Sequence, residues 1–283
     1  MVWEMAMPRA NLALKITNWC NLNCAHCCER SHANEPFNLI PIDKIERYIC
    51  EFKDMGIPVW DYVTFTGGEV MAPYYIGQHK YIPMVADICA NNDMSACFKT
   101  NALWGNNVIL SAGILKSLAD IAHKHDRQIS LDISIDEYHD NMNAATTVVN
   151  QIMNSQYLSA AIPVSFVGLN TPASQYKYQE FANILRQRGI YVGQMDTTDG
   201  SIIMSKGDNL NVMFYENGTL SRLGRAADNN LTQHIPSGHT DLTNGDCLEI
   251  TNTNKAILNY KFTTDAKDKT VGQIYNELLQ HKR

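Results

Sequence analysis

Strand-like and helix-like segments alternate along the first two thirds of the chain, and this alternation restricts the possible folds most strongly. The segments LALKIT, DYVTFTG, SACFKT, QISLDIS and AIPVSFVGLN have the alternating or β-branched pattern of strands. Between the first two, Ile42, Ile45, Ile49 and Phe52 recur at helical spacing before Gly56. Strands that alternate with helices form parallel sheets, so the sequence predicts an α/β fold.

The segment IYVGQMD is a sixth predicted strand. The helix before it begins at an N-cap, Thr171, with Pro172 in its first turn, and it ends at Gly189. Six βα units are fewer than the eight of a closed barrel. We therefore expect residues 1–200 to form a partial (β/α)6 parallel barrel.

The alternation stops at Ser201, and the rest of the chain has a different pattern. The stretch NVMFYENGTLSRLGRAAD predicts a hairpin with Asn217-Gly218 as its turn. The end, TVGQIYNELLQHKR, predicts a terminal helix. We expect residues 201–283 to form a small C-terminal extension.

Composition argues against several classes of protein. The net charge is −6, and the Lys and Arg residues are scattered, so we expect no nucleic-acid partner. No apolar run reaches the roughly 18 residues of a membrane span, and Glu4 interrupts the start of the chain, unlike a signal peptide. We expect a cytoplasmic protein without membrane contact. Its eight cysteines then indicate metal or redox chemistry rather than disulfides.

Unusual residues follow four consecutive predicted strands. Since the carboxyl ends of parallel strands share one edge of a sheet, we expect these residues to meet there. They are the cysteine-rich loop after the first strand, Gly67-Gly68-Glu69 after the second, Asn101 after the third, and Ser134 and Asp136 at the end of the fourth.

Cys20, Cys24 and Cys27 form the pattern C-x3-C-x2-C. Three thiolates on one loop can hold three irons of a [4Fe–4S] cluster and leave the fourth iron open to another ligand. A zinc site completed by His26, Cys28 or His32 is the alternative for the same residues.

Four stretches in this order resemble the radical S-adenosylmethionine (radical SAM) family. They are TNWCNLNCAHC at the cysteine loop, TGGE after the second strand, KTNALW after the third and SLDISID at the fourth. Ala102 replaces the glycine that the family usually has in the third. The resemblance runs from Leu12 to Asp196.

The resemblance implies one [4Fe–4S] cluster held by Cys20, Cys24 and Cys27, with SAM chelating the open iron. It implies reductive cleavage of SAM to a 5′-deoxyadenosyl radical that abstracts hydrogen from a substrate, with an electron donor such as flavodoxin or ferredoxin. The SAM-binding residues that it implies are His26 near the adenine, Gly67 and Gly68 at the amine, Glu69 opposite the ammonium, and Asn101, Ser134 and Asp136 at the carboxylate or ribose.

The C-terminal segment is similar to a degenerate, cysteine-poor form of the SPASM or twitch extensions of peptide-modifying radical SAM enzymes. Cys247 is its one cysteine, and one thiol cannot hold a second cluster. Cys247 is a candidate hydrogen-atom donor, with a structural role as the simpler interpretation. Cys28 and His32 are expected to be bystanders.

The substrate is expected to be a peptide or a small metabolite. Two alternatives remain open: a glycyl-radical-enzyme activating enzyme, and a zinc-binding or electron-transfer protein without catalytic activity. The cofactor carries the difficult chemistry in the leading hypothesis, and loops and the C-terminal segment select the substrate.

Overall fold

The computed structural model describes residues 9–169, 171–194, 201–218, 225, 228–229, 231, 247–258 and 262–280. Its strands are β1 (Ala10–Thr17), β2 (Val59–Gly67), β3 (Ser95–Thr100), β4 (Ile129–Ser134), β5 (Val164–Leu169), β6 (Tyr191–Val192), β7 (Ser201–Lys206), β8 (Asn209–Gly218), β9 (Cys247–Thr251), β10 (Lys255–Leu258) and β11 (Phe262–Asp265). They form one sheet in the order β11-β10-β9-β1-β2-β3-β4-β5-β8-β7-β6.

The centre of this sheet is parallel. Strands β1 to β5 lie side by side in chain order, each parallel to the next. Strand β9 extends the parallel part beyond β1, and β8 extends it beyond β5. The predicted α/β class is therefore confirmed, with the large, mostly parallel sheet of a partial barrel.

Helices connect the parallel strands and cover one face of the sheet. They are α1 (Ile42–Lys53), α2 (Ala72–Tyr75), α3 (Tyr81–Asn91), α4 (Val108–His125), α5 (Met142–Met153), α6 (Gln156–Ala161), α7 (Pro172–Gln187) and, near the chain end, α8 (Val271–Gln280). Thr171 caps α7, as its sequence predicts, by accepting a hydrogen bond from the Ser174 N–H. Among the described residues, no helix has the length and hydropathy needed to cross a bilayer.

Alternate residues of the strands point to the helices. Leu14 of β1, Phe65 of β2 and Phe98 of β3 are fully buried in one hydrophobic cluster with helix residues such as Ile49. The residues between them lie on the opposite face, which we call the inner face. It carries polar side chains, which are Lys15, Thr64, Cys97, Lys99, Asp132 and Glu249. This division directs the apolar core outward and leaves a polar inner face.

The sixth parallel strand is not the predicted one. Tyr191–Val192 forms a two-residue strand that pairs antiparallel with β7 at the edge of the sheet. The place beside β5 belongs to β8, Asn209–Gly218, which is ten residues long and pairs with β5 and β7 together. A long strand with two partner strands forms hydrogen bonds with far more backbone N–H and C=O groups than a two-residue strand can.

The predicted hairpin turn is also wrong. Strands β7 and β8 form a hairpin whose last pair is Lys206 with Asn209, so the turn lies at Gly207, which has a φ of 57°. Asn217-Gly218 instead ends β8 opposite Leu169 of β5. Gly207 and Gly218 are both residues that can form a turn. Pairing with β5 keeps the backbone at Gly218 extended, so the turn forms at Gly207.

The strands after Ser201 border both sides of the β1–β5 core. The hairpin adds to β5, whereas β9 adds to β1 and continues into β10 and β11. The predicted division at residue 200 remains a prediction. Residues 219–224 and 226–227 of the stretch NVMFYENGTLSRLGRAAD lie outside the described residues, as does Asp196.

Candidate functional site

The three cysteines lie on the loop that follows β1. Cys20 is buried, Cys24 and Cys27 are half-buried, and all are free thiols. A turn positions the last two, because the Cys27 N–H donates to the Cys24 carbonyl at 3.2 Å. The Cys20 N–H donates to the His32 carbonyl at 3.4 Å. This hydrogen bond connects the start of the loop to its end.

Hydrogen-bond donors face the sulfur atoms. The Leu22 N–H lies 3.4 Å from the Cys20 Sγ, and the Asn101 side-chain amide lies 3.7 Å from it. Such donors stabilise a thiolate. In the free protein, burial and the nearby Glu69 charge raise the pKa of Cys20 to about 12. A metal cation bound at this sulfur, such as iron, would favour the ionised thiolate.

Gly67 and Gly68 are required by the backbone of the same loop. A Cβ at Gly68 would lie 2.0 Å from the Trp19 carbonyl oxygen, and one at Gly67 would lie 2.3 Å from that of Thr17. In this close approach the Gly68 N–H donates to the Thr17 carbonyl at 2.7 Å, and the Glu69 N–H donates to that of Trp19 at 2.9 Å. The turn after β2 is thus hydrogen-bonded to the beginning of the cysteine loop.

Glu69 joins the ends of β2 and β3. It is fully buried, and its carboxylate accepts hydrogen bonds from the Met71 N–H, the Thr100 hydroxyl and the Asn101 N–H at 2.9, 2.6 and 2.9 Å. Burial raises its pKa, while the three donors oppose that rise. These bonds give Glu69 a structural role, and its predicted contact with the SAM ammonium remains a prediction.

Asparagines connect β3 and β4 to the loop. The Asn101 side chain donates to Asn21 Oδ1 at 2.8 Å, so it touches the cysteine loop at two points. Asn141 donates to the carbonyls of Asn101 and Ser134, each at 2.7 Å. The predicted site residues after β3 and β4 are therefore neighbours.

Asp136 lies in a buried cluster of histidines. His139 Nδ1 is 2.9 Å from both of its carboxylate oxygens, and His26 Nε2 is 3.7 Å from one of them. The ring of Tyr138 stacks on His26 with 4.6 Å between centroids. The sequence predicted His26 and Asp136 but missed His139 and Tyr138, although both follow Asp136 by only two or three positions.

The electrostatics of this cluster favour an ion pair. Burial disfavours a charged His139, but its hydrogen bonds with Asp136 and the Cys24 thiol outweigh burial and raise its pKa to about 10. Burial likewise opposes ionisation of Asp136, yet His139 and His26 hold its pKa below the usual range. Burial lowers the pKa of His26. A charged His139 therefore lies between a carboxylate and a cysteine of the loop.

The radical SAM superfamily model matches residues 14–204, about two thirds of the chain. The chain belongs to the radical SAM superfamily. This membership makes it a radical SAM enzyme and implies a [4Fe–4S] cluster and SAM as cofactors. No curated protein matches the chain.

This chain resembles two solved structures at low identity. One is HydG, a maturase of the [FeFe]-hydrogenase, with a TM-score of 0.43, 13% identity and coverage of 64% of this chain and 40% of HydG. The other is anSMEcpe with bound AdoMet and the Cp18Cys peptide, with a TM-score of 0.39, 14% identity and coverage of 62% of this chain and 48% of that one. The matched part spans less than half of either protein.

The residues present fit the cofactors of a radical SAM enzyme. The cysteines supply three thiols with donors aimed at two of them. Two buried polar atoms, His26 Nδ1 and Asn141 Oδ1, have no hydrogen-bond partner among the described residues. Such atoms are costly unless a ligand satisfies them. His26 is one of the residues that the resemblance places at SAM, and the Asn141 amide bonds the carbonyls of two others, Asn101 and Ser134.

A zinc site formed by the cysteines fits less well. Zinc holds its sulfur ligands at 2.3 Å, so that tetrahedral ligands lie roughly 3.8 Å apart. Within the described part of the chain, one group of three ligand atoms lies within 4.8 Å of one another, and it consists of His26, Asp136 and His139. That group contains no cysteine.

Cys247 and Cys28 lie in different parts of the structure. Cys247 opens β9 opposite Asn11, six residues before the end of β1, which is roughly 20 Å along the strand from the cysteine loop. Its role as a hydrogen-atom donor stays a prediction. Cys28 is exposed, with its Sγ 3.6 Å from the Glu29 carboxylate.

Proposed function

We propose that this radical SAM enzyme binds one [4Fe–4S] cluster through Cys20, Cys24 and Cys27 and cleaves SAM reductively. When bound to these thiols, a reduced cluster would supply the electron for this cleavage, whose products would be methionine and a 5′-deoxyadenosyl radical that abstracts hydrogen from the substrate. The chain holds the three thiols on one loop and excludes water from Cys20 by burial.

One observation carries the proposal: the cysteine loop is hydrogen-bonded to the turn after β2 and to the end of β3. The four stretches that resemble the family therefore meet at one edge of the sheet. There, Gly67, Gly68 and Asn101 contact the first part of the loop, and Asp136 lies 3.7 Å from His26 in its second part. We infer that SAM binds between these two groups.

The inner face supports a polar substrate, either a peptide or a small metabolite. Lys99 pairs with Asp132 at 3.0 Å, and Lys15 pairs with Glu249 at 2.8 Å and with Glu29. Charged groups on this face favour ligands that can hydrogen-bond. Lys99 of β3 and Asp132 of β4 precede Asn101 and Ser134 by two residues each, so they lie roughly 7 Å from the proposed SAM site. Flavodoxin or ferredoxin is the proposed electron donor.

Activation of a glycyl-radical enzyme is a second candidate, because it uses the same cluster and SAM. A zinc-binding or electron-transfer protein without catalytic activity is the third, and its zinc ligands would be His26, Asp136 and His139. Two histidines and a carboxylate can hold a divalent cation.

Metal content after anaerobic purification separates the first two candidates from the third. We expect a brown protein with about four irons per chain and EPR signals of a reduced [4Fe–4S] cluster. A colourless protein with one zinc per chain, lost when His139 is replaced by glutamine, would contradict the proposal.

A further inference from the structure

A short part of the C-terminal extension contacts the cysteine loop. The structure describes Arg225, Asp228 and Asn229 there, about two hundred residues after the loop in sequence. The Arg225 guanidinium donates through Nε to the carbonyl of Cys24 at 2.8 Å and through Nη2 to that of Ser31 at 2.7 Å. The Arg225 backbone N–H donates to the carbonyl of Cys27 at 2.8 Å.

Two further contacts come from the next turn of this segment. The Asn229 side-chain amide donates to the Ala25 carbonyl at 2.9 Å. Asp228 forms a two-bond pair with Arg30 at 2.8 Å, but both side chains are more than half exposed (52% and 58%), so water weakens this pair. The half-buried Arg225 is therefore the central contact.

The loop has a physical need for such contacts. An irregular loop leaves carbonyl groups without the partners that a helix or sheet would give them. Arg225 satisfies carbonyls at both ends of the segment from Cys24 to Ser31, which contains Cys27. The planar guanidinium holds its N–H donors at fixed positions and therefore fixes the distance between these two carbonyls. A flexible lysine ammonium would not do this.

The guanidinium also brings positive charge to the loop. Its Nε and Nη2 atoms contact the carbonyls of Cys24 and Ser31, which precede and follow Cys27 in the loop. Three thiolates concentrate negative charge on this loop, and a nearby cation stabilises them.

We infer that Arg225 is a positioning residue of the cluster site, which clamps the cysteine loop from the C-terminal extension and slows loss of iron. This inference rests on the proposed cluster. It gives the cysteine-poor extension a role in holding the cluster at the core rather than a second cluster of its own.

Arg225→Gln tests the clamp, and Arg186→Gln is its matched control. Arg186 also bonds a backbone carbonyl, that of Val192, at 2.9 Å, but on α7. In the iron-free protein, we expect Arg225→Gln to accelerate amide hydrogen exchange across residues 20–32, and Arg186→Gln to leave it unchanged. Exchange at the wild-type rate in Arg225→Gln would overturn the inference, whether or not the wild type binds iron.

The reconstituted enzyme gives a second readout. We expect a chelator such as bathophenanthroline to remove iron roughly tenfold faster from Arg225→Gln than from wild type or Arg186→Gln. Arg225→Lys should retain iron only partly, because one ammonium group cannot reproduce both guanidinium hydrogen bonds to the Cys24 and Ser31 carbonyls. Wild-type retention in both Arg225 variants would overturn the clamp, whereas a wild type without iron would overturn the proposed function.

Discussion

Replacing Cys24 with alanine should reduce the iron content from about four atoms per chain to below one and remove the EPR signal of the reduced cluster. Cys24 is the middle thiol of the loop, and its carbonyl accepts the bond that turns the chain toward Cys27. The variant keeps this backbone bond, so its loss of iron would report the missing thiol. Iron analysis and EPR of the anaerobically reconstituted protein measure the effect.

Cys28→Ala is the matched control, because Cys28 is on the same loop and is exposed. It should retain about four irons, since adjacent cysteines cannot both face the same cluster. A Cys28→Ala protein that loses its iron, or a Cys24→Ala protein that keeps a four-iron cluster, would contradict the assignment of the three ligands.

Replacing Gly68 with alanine should have the largest effect on stability. Its new methyl group would lie 2.0 Å from the Trp19 carbonyl oxygen, and backbone cannot move aside as a side chain can. Separating the two segments would break the Gly68 N–H bond to Thr17. We expect a loss of about 3 kcal/mol in the free energy of unfolding, together with weaker iron binding.

Gly113→Ala supplies the comparison for denaturant unfolding. A Cβ at Gly113, which is in α4, would meet no atom within 4 Å. Alanine there should stabilise the protein by about 0.5–1 kcal/mol, because it favours the helix. Equal free energies of unfolding for the two variants would show that Gly68 does not lie in close contact with the Trp19 carbonyl of the cysteine loop.

The sequence predicts the first five strands and their helices well because each has a strong local pattern. The alternating apolar and polar residues of β1 in the sequence and the N-cap of α7 are examples. The motifs after these strands predict the edge of the sheet at which we propose that the site lies. Local pattern fails for β6 and β8, since their places depend on which strand pairs with β5.

Side-chain partners are harder to predict. Glu69 has the sequence context of a ligand-binding residue, yet three bonds from its own chain occupy it. His139 has a visible signal, its spacing of three from Asp136, but its contact with Cys24 depends on the folded loop. Arg225 has no local signal, because its partners lie about two hundred residues away.

Release of 5′-deoxyadenosine tests the central claim most directly. The reconstituted wild-type protein, reduced with dithionite and given SAM, should form 5′-deoxyadenosine and methionine in equal amounts, whereas Cys24→Ala should form neither. A wild-type protein with a reduced four-iron cluster that leaves SAM intact, or equal release from both proteins, would contradict the account.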